Sequence, residues 1–263
     1  MPEILEVEFY RALAEQALDR EIARVWMVDA RYGRGGTTPQ RLRAALVGHS
    51  FSAARRRGKL LLLDTDGGPT LGVRFGMTGG LVVDGQQALD RLRYGPGVFE
   101  EKWVRARITF GDGGQLVLHD PRRFGSVEIA PDESRLGPDA LTVTRRELRA
   151  ALATGAGLTH APLKARLMDQ ERLAGIGNLL ADEILWRADL APGRRTPLDD
   201  EELRHLHTVL RATLRQLMRR SGSHMGDLME QRHAGGRCPR DGTELRREVV
   251  GGRTTYWCPA HQH

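Results

Sequence analysis

The stretch Leu163-Lys164-Ala165-Arg166-Leu167-Met168-Asp169-Gln170-Glu171-Arg172-Leu173-Ala174-Gly175-Ile176-Gly177-Asn178-Leu179-Leu180-Ala181-Asp182-Glu183-Ile184-Leu185-Trp186 decides how this chain is built. Apolar residues recur at helical spacing on both sides of Gly175-Ile176-Gly177, so two helices meet at a turn that glycine keeps tight. The second helix opens at Asn178, where unpaired N–H groups and the side-chain amide can donate to a backbone phosphate. Contacts of that kind position a duplex without reading its sequence. A Gly-x-Gly turn alone is a weak signal, so its meaning depends on what flanks it.

Downstream, a long amphipathic helix is expected over 199–219. Acidic residues Asp199 to Glu202 stand at its positive end, Arg219-Arg220 at its negative end, and Leu203, Leu206, Leu210, Leu214 and Leu217 form its buried stripe. Ser221-Gly222-Ser223 breaks it, and the Gly-rich remainder reads as a hairpin too short to hold a core alone. Upstream the pattern changes. After one amphipathic helix over 5–18, short apolar runs at 21–28, 50–56, 60–64, 71–75, 80–83, 103–110 and 115–119 alternate with turns such as Asp66-Gly67, Asp84-Gly85 and Asp112-Gly113. These predict an antiparallel β-sandwich or barrel, with 87–101 as a loop containing a helical turn. The fold class is therefore α+β and multidomain: 1–133 an N-terminal helix plus β-sandwich, 134–225 a helical domain, and 226–263 a ribbon-like β-hairpin.

The chain has 263 residues, 40% of them hydrophobic, with 40 cationic against 34 anionic side chains and a net charge of +6. That excess suits a polyanionic partner without requiring one. Of the cations, only Lys59, Lys102 and Lys164 are lysine, and a lysine kept where arginine is the habit marks a place that wants a compact point charge. No apolar run reaches the ~18 residues of a membrane span, and Glu3, Glu6 and Glu8 interrupt the stretch where a signal peptide would carry its apolar core. A cytoplasmic monomer with no membrane partner is expected.

Chemistry is suggested first at the N-terminus, Met1-Pro2-Glu3-Ile4-Leu5-Glu6-Val7-Glu8. Removal of Met1 would turn Pro2 into a free secondary amine, and α-amino groups titrate near ~7.7–8.0, so part of it is unprotonated at neutral pH. Such an amine can attack a sugar C1′ and form an iminium, with Glu3 exchanging protons beside it. The same octet also describes the start of a surface helix.

The tail supplies a second constellation, Cys238-Pro239-Arg240-Asp241 and Cys258-Pro259-Ala260-His261. Two such knuckles on a hairpin can offer Cys238, Asp241, Cys258 and His261 to a structural zinc ion (Zn2+), which would stabilise a segment without its own core. The alternatives are that Asp241-Gly242 is only a hairpin turn and the ribbon survives on packing, or that His263 substitutes as a ligand.

Taken with the octet and the tail, the helical stretch resembles the formamidopyrimidine-DNA glycosylase/endonuclease VIII family. Further anchors are Arg57-Gly58-Lys59, Gly76-Met77-Thr78-Gly79, Asp120-Pro121-Arg122-Arg123-Phe124-Gly125 and Gly252-Arg253-Thr254-Thr255, in the family's order and across nearly the whole chain. The resemblance implies a β-sandwich, a helix-two-turns-helix domain and a zinc ribbon. It also implies a bacterial, nucleoid-associated enzyme of base excision repair that acts on damaged double-stranded DNA as DNA glycosylase and AP lyase.

Under that resemblance Pro2 is the nucleophile forming a Schiff base, followed by β,δ-elimination; Glu3 is the acid/base partner and Glu6 a supporting carboxylate. Lys59 and Arg253 hold phosphates beside the lesion, and Asn178 and Lys164 match phosphate-binding positions. Met77, Arg122 and Phe124 match the side chains that fill the gap left by an extruded nucleotide; without the resemblance, Met77 and Phe124 read as core. The N-terminal amine is then expected to lie open at the mouth of a cationic groove. This chain departs from the pattern at Leu5 (usually proline), at Arg74 (commonly histidine), at ribbon positions Asp241 and His261, and in a short 221–232 segment. An alternative is a catalytically reduced protein of the same fold that binds damaged DNA or abasic sites.

Overall fold

The structure is a computed structural model that describes residues 2–89, 98–154 and 160–263. Part of the loop expected over 87–101 therefore lies outside the described residues. The described chain divides into two compact units, one of Met1–Pro2 with Glu6–Glu133, the other of Glu3–Leu5 with Ser134–His263. The C-terminal hairpin is counted with the helices rather than by itself.

In the first unit two antiparallel sheets share a core. One has the order β1 (Ile22–Met27), β7 (Val104–Phe110), β8 (Gln115–His119), β5 (Gly80–Val83), β6 (Gln86–Gln87); the other β2 (Phe51–Arg57), β3 (Leu60–Thr65), β4 (Leu71–Arg74), β9 (Ser126–Ile129). Alternation decides which side chains face inward: Val25 and Met27 of β1, Ile108 and Phe110 of β7, and Leu61, Leu63 and Val73 from the other sheet join a single cluster with Val7, Tyr10 and Leu13. Asp84-Gly85 closes the β5–β6 turn with both residues at positive φ, 49° and 82°, the two-residue hairpin that Asp-Gly favours. Helix α1 covers Ile4–Ala14 and ends in a 3-10 turn rather than reaching residue 18. A helix, α2 (Pro39–Leu46), and β9 lie where none was expected. Thr38 caps α2 and Pro39 starts it, but only Leu42 and Leu46 of its eight residues are buried, too few to reveal a period.

The second unit contains α3 (Arg145–Leu152), α4 (Leu163–Met168), α5 (Asn178–Arg187), α6 (Asp200–Arg219) and the hairpin β10 (Arg246–Val250), β11 (Arg253–Trp257). Helix α6 begins with a reciprocal capping box: the Asp199 carboxylate accepts from the N–H groups of Glu201 and Glu202, and the Asp199 N–H donates to Glu202. Its leucine stripe packs with Leu163, Leu167, Leu180 and Ile184, and with Ile4 and Leu5 from the start of the chain. The hairpin has a small core of Leu245, Tyr256, Cys238 and Cys258, completed by Trp186 of α5 and Leu228. Among the described residues no helix is long and apolar enough to cross a membrane.

Candidate DNA-repair site

The sequence places Glu3 beside the candidate amine, and the structure shows what holds it. Its carboxylate is fully buried, with Oε2 accepting from Gly177 N (2.7 Å) and Leu180 N (3.2 Å) and Oε1 from Leu179 N (2.8 Å). These donors are the orphan amides at the positive end of α5, so the helix start expected to receive a phosphate already holds an anion from its own chain. The two glycines are explained by the same docking. A Cβ on Gly177 would lie 2.3 Å from the Glu3 carboxyl carbon. Gly175, at φ +116°, would meet Ile4 at 2.4 Å, where the Ile4 N–H donates to the Gly175 carbonyl.

Pro2 is buried. This corrects the expectation of an open terminus: the neighbouring Glu3 is drawn completely into the protein, and Pro2 goes with it. Glu6 is buried as well, and it raises the pKa of Tyr10, whose main cause of elevation is its own burial. Lys59 sits half-buried on the β2–β3 turn after Gly58.

Two loops of the first unit bring together Met77, Arg122 and Phe124. The organiser is Asp120, which sequence reading assigned no role. It is fully buried, accepting from Thr78 Oγ1 (2.9 Å) and Gly125 N (2.7 Å) through its carboxylate and from Arg105 Nε (2.8 Å) through its carbonyl. Gly76 lies so close to the other loop that a Cβ would be 2.3 Å from the Phe124 carbonyl carbon. Phe124 is 57% exposed with the Arg122 guanidinium 5.0 Å from its ring, and Met77 is half-buried. A 57% exposed phenylalanine is no core residue, which corrects the reading made without the resemblance.

In the second unit Arg253 follows the Gly251-Gly252 turn of the hairpin, exposed, with its guanidinium in no hydrogen bond or ion pair among the described residues. Asn178 Nδ2 donates to the Thr254 carbonyl at 3.1 Å, tying α5 to the residue after Arg253. Lys164, expected on a phosphate, is instead completely enclosed. Its ammonium donates to Thr255 Oγ1 (2.7 Å) and the Thr254 carbonyl (3.3 Å) and forms an ion pair with Asp182 Oδ1 at 2.6 Å. Arg232 pairs with the other Asp182 oxygen, and Tyr256 N donates to it as well. Burial pushes the Lys164 pKa down more than Asp182 pulls it up. Asp182 and Arg232 escaped sequence reading because only the fold brings them to Lys164.

The four tail residues do converge. One ligand atom from each of Cys238, Asp241, Cys258 and His261 lies within 4.8 Å of all the others, and both cysteines are buried and free of disulfide. Asp241 Oδ2 is 3.5 Å from Cys258 Sγ and 3.0 Å from His261 Nδ1. A tetrahedral site with bonds of about 2.0–2.3 Å spaces its ligands by roughly 3.3–3.8 Å. The donor set of two sulfurs, a nitrogen and an oxygen therefore fits zinc. Trp186 Nε1 donates to Cys238 Sγ at 3.4 Å, an outer contact that orients the sulfur. The Asp241 carboxyl is held well below the usual range, first by the Thr243 backbone N–H and then by His261, while burial raises the Cys258 thiol.

The sequence profile of the formamidopyrimidine-DNA glycosylase N-terminal domain matches residues 1–127, and that of the formamidopyrimidine-DNA glycosylase H2TH domain matches 136–227. A formamidopyrimidine-DNA glycosylase of Thermus thermophilus is 36% identical over 292 residues, spanning 100% of this chain and 98% of that protein. One from Chloroflexus aggregans is 34% identical over 285 residues with the same coverage. Among solved structures, a Lactococcus lactis Fpg variant in complex with Fapy-dG-containing DNA superposes with a TM-score of 0.82 at 25% identity over the full length of both chains. With two profiles covering most of its length and relatives matched from end to end, the chain belongs to the formamidopyrimidine-DNA glycosylase family.

Proposed function

We propose that this chain is a base-excision DNA glycosylase with AP-lyase activity on oxidised bases, acting through the amine that Pro2 acquires when Met1 is removed. Its nitrogen attacks C1′ of the damaged nucleotide, the N-glycosidic bond breaks, and the base leaves with a proton. The sugar ring opens to an iminium. Loss of a C2′ proton then expels the 3′ phosphate, loss of the C4′ proton expels the 5′ phosphate, and water hydrolyses the iminium to release the Pro2 amine. The observation that carries this reading is the Glu3 carboxylate, fixed by three backbone N–H groups one peptide bond from Pro2. Held in that way it favours the role of an anion that stabilises positive charge developing on the sugar, with no reorganisation during the reaction.

Lys59 and Arg253 hold phosphates in this proposal. Met77, Arg122 and Phe124 enter the duplex, their grouping supported by the Asp120 clamp. Lys164 and Asn178 act on the strand carrying Arg253, where their hydrogen bonds lie, in place of the direct phosphate contact expected of Lys164. Zinc, when bound by Cys238, Asp241, Cys258 and His261, supplies cross-linking of the hairpin. Damaged double-stranded DNA is the partner, in keeping with the DNA complexes of the structural relatives.

Borohydride reduction with DNA carrying an oxidised base or an abasic site is expected to leave a covalent adduct that peptide mapping assigns to Pro2. A chain extended by one blocking residue before Pro2 should give none. Absence of an adduct on every such substrate would overturn the proposal. The burial of Pro2 favours a second reading, a protein that binds damaged DNA without turnover. Mass spectrometry of the mature terminus separates the two, because a retained Met1 leaves Pro2 as an amide with no nucleophilicity.

A further inference from the structure

On the outer face of the first unit's five-stranded sheet lies a cavity of about 690 Å³. Strand β1 is the edge of that sheet. Val25 and Met27 point into the core, so Arg24 and Trp26 point outward, and register sets them opposite Thr109 and Arg107 of β7. Further along the same sheet Val82, Val104 and Val117 form a covered cluster. The β1 end is not covered: Trp26 is 48% exposed, and Val47, after α2, is 41% exposed across the cavity.

The charges around this indole are unbalanced. The guanidinium groups of Arg24 and Arg43, both lining the cavity, make no hydrogen bond or ion pair among the described residues. Arg107 gives one nitrogen to Glu101, while its Nε is buried without a partner. Three guanidinium groups thus face a single carboxylate around an apolar floor, and Thr109 and Gln115 add neutral hydrogen-bonding groups.

We propose that this cup docks an acidic peptide segment of a partner protein, with a bulky apolar side chain on Trp26 and carboxylates on Arg24 and Arg43. Arginine forks suit carboxylates, and an exposed indole suits an apolar anchor. Nucleic acid fits less well. Among the described residues Trp26 is the one aromatic side chain lining the cup, where single strands ask for successive stacking platforms, and Thr109 with Gln115 can serve the amide groups of a peptide. None of these side chains belongs to the proposed catalytic or DNA-binding groups.

The probe is a fluorescein-labelled nine-residue peptide of Asp and Glu with one central Phe, followed by anisotropy with the full-length protein. Saturable binding is expected, weakened about tenfold or more by Arg24→Glu with Arg43→Glu, and likewise by Trp26→Ala or by Ser in place of the peptide's Phe. Adduct formation on abasic DNA should be the same in the Arg24→Glu/Arg43→Glu variant, which keeps the two proposals separately testable. The docking proposal is overturned by absence of saturable binding, or by binding that the variants leave unchanged. It is also overturned, in favour of nucleic acid, if oligothymidylate displaces the peptide and loses its own binding in the same variants.

Discussion

Gly177 has no room for a methyl group because the Glu3 carboxylate occupies the place where its Cβ would stand. Gly177→Ala is therefore expected to push Glu3 off the α5 amides, leaving buried donors unpaired at a cost of about 1–3 kcal/mol. Urea denaturation measures that loss, and borohydride trapping should fall with it. Gly193→Ala is the control, since nothing lies within 4 Å of its added carbon. The glycines of the two-turn motif were legible in the sequence as a tight turn. Their reason was not, because Glu3 and Ile4 are more than 170 positions away and no local pattern announces a close approach. Asp120 is similar: its place in a motif was visible, but its clamp on Thr78 and Gly125 required the two loops to be seen together.

At the scale of the element, the hairpin β10–β11 depends on helices α4 and α5. Lys164→Met would leave Asp182 buried with Arg232 as its remaining charged partner and remove the bonds to Thr254 and Thr255. Breaking a buried ion pair from one side costs about 3–5 kcal/mol. Hydrogen exchange should quicken over 253–257, and DNA affinity should fall although Lys164 touches no solvent. Metal belongs to this scale too. Metal analysis should find about one zinc per chain, and chelation should raise exchange within 236–262 while α6 stays protected. A metal-free preparation with undiminished protection there would show that Trp186 and the small hairpin core suffice. The strands were legible from alternation and Asp-Gly turns, whereas α2 and β9 were not, being too short to establish a period.

For the whole molecule, acid sensitivity follows from carboxylates held by arginines. Arg20 lowers the pKa of Asp84 and brings Asp112 to about 2, Arg55 lowers Asp64, and Arg194 lowers Glu202. Each folded pKa lies below its unfolded value, so the unfolded chain takes up more protons as pH drops. The stabilisation is complete above roughly pH 4 and is lost as pH falls through the folded values. The urea midpoint should decline steeply between about pH 4 and pH 2, and Arg20→Met should flatten part of that decline. An unchanged slope in the variant would count against the clamp.

The sequence by itself determined the α+β class and the family resemblance, and offered Cys238, Asp241, Cys258 and His261 as a candidate set, because periodicity, turn residues and ligand spacing are local properties. Tertiary structure decided the rest. It gave the helix start to Glu3 rather than to a phosphate, enclosed Lys164 with Asp182, buried Pro2, and left Trp26 exposed beside unpaired arginines. Burial and charge pairing depend on which distant segments meet, and spacing along a chain does not encode that.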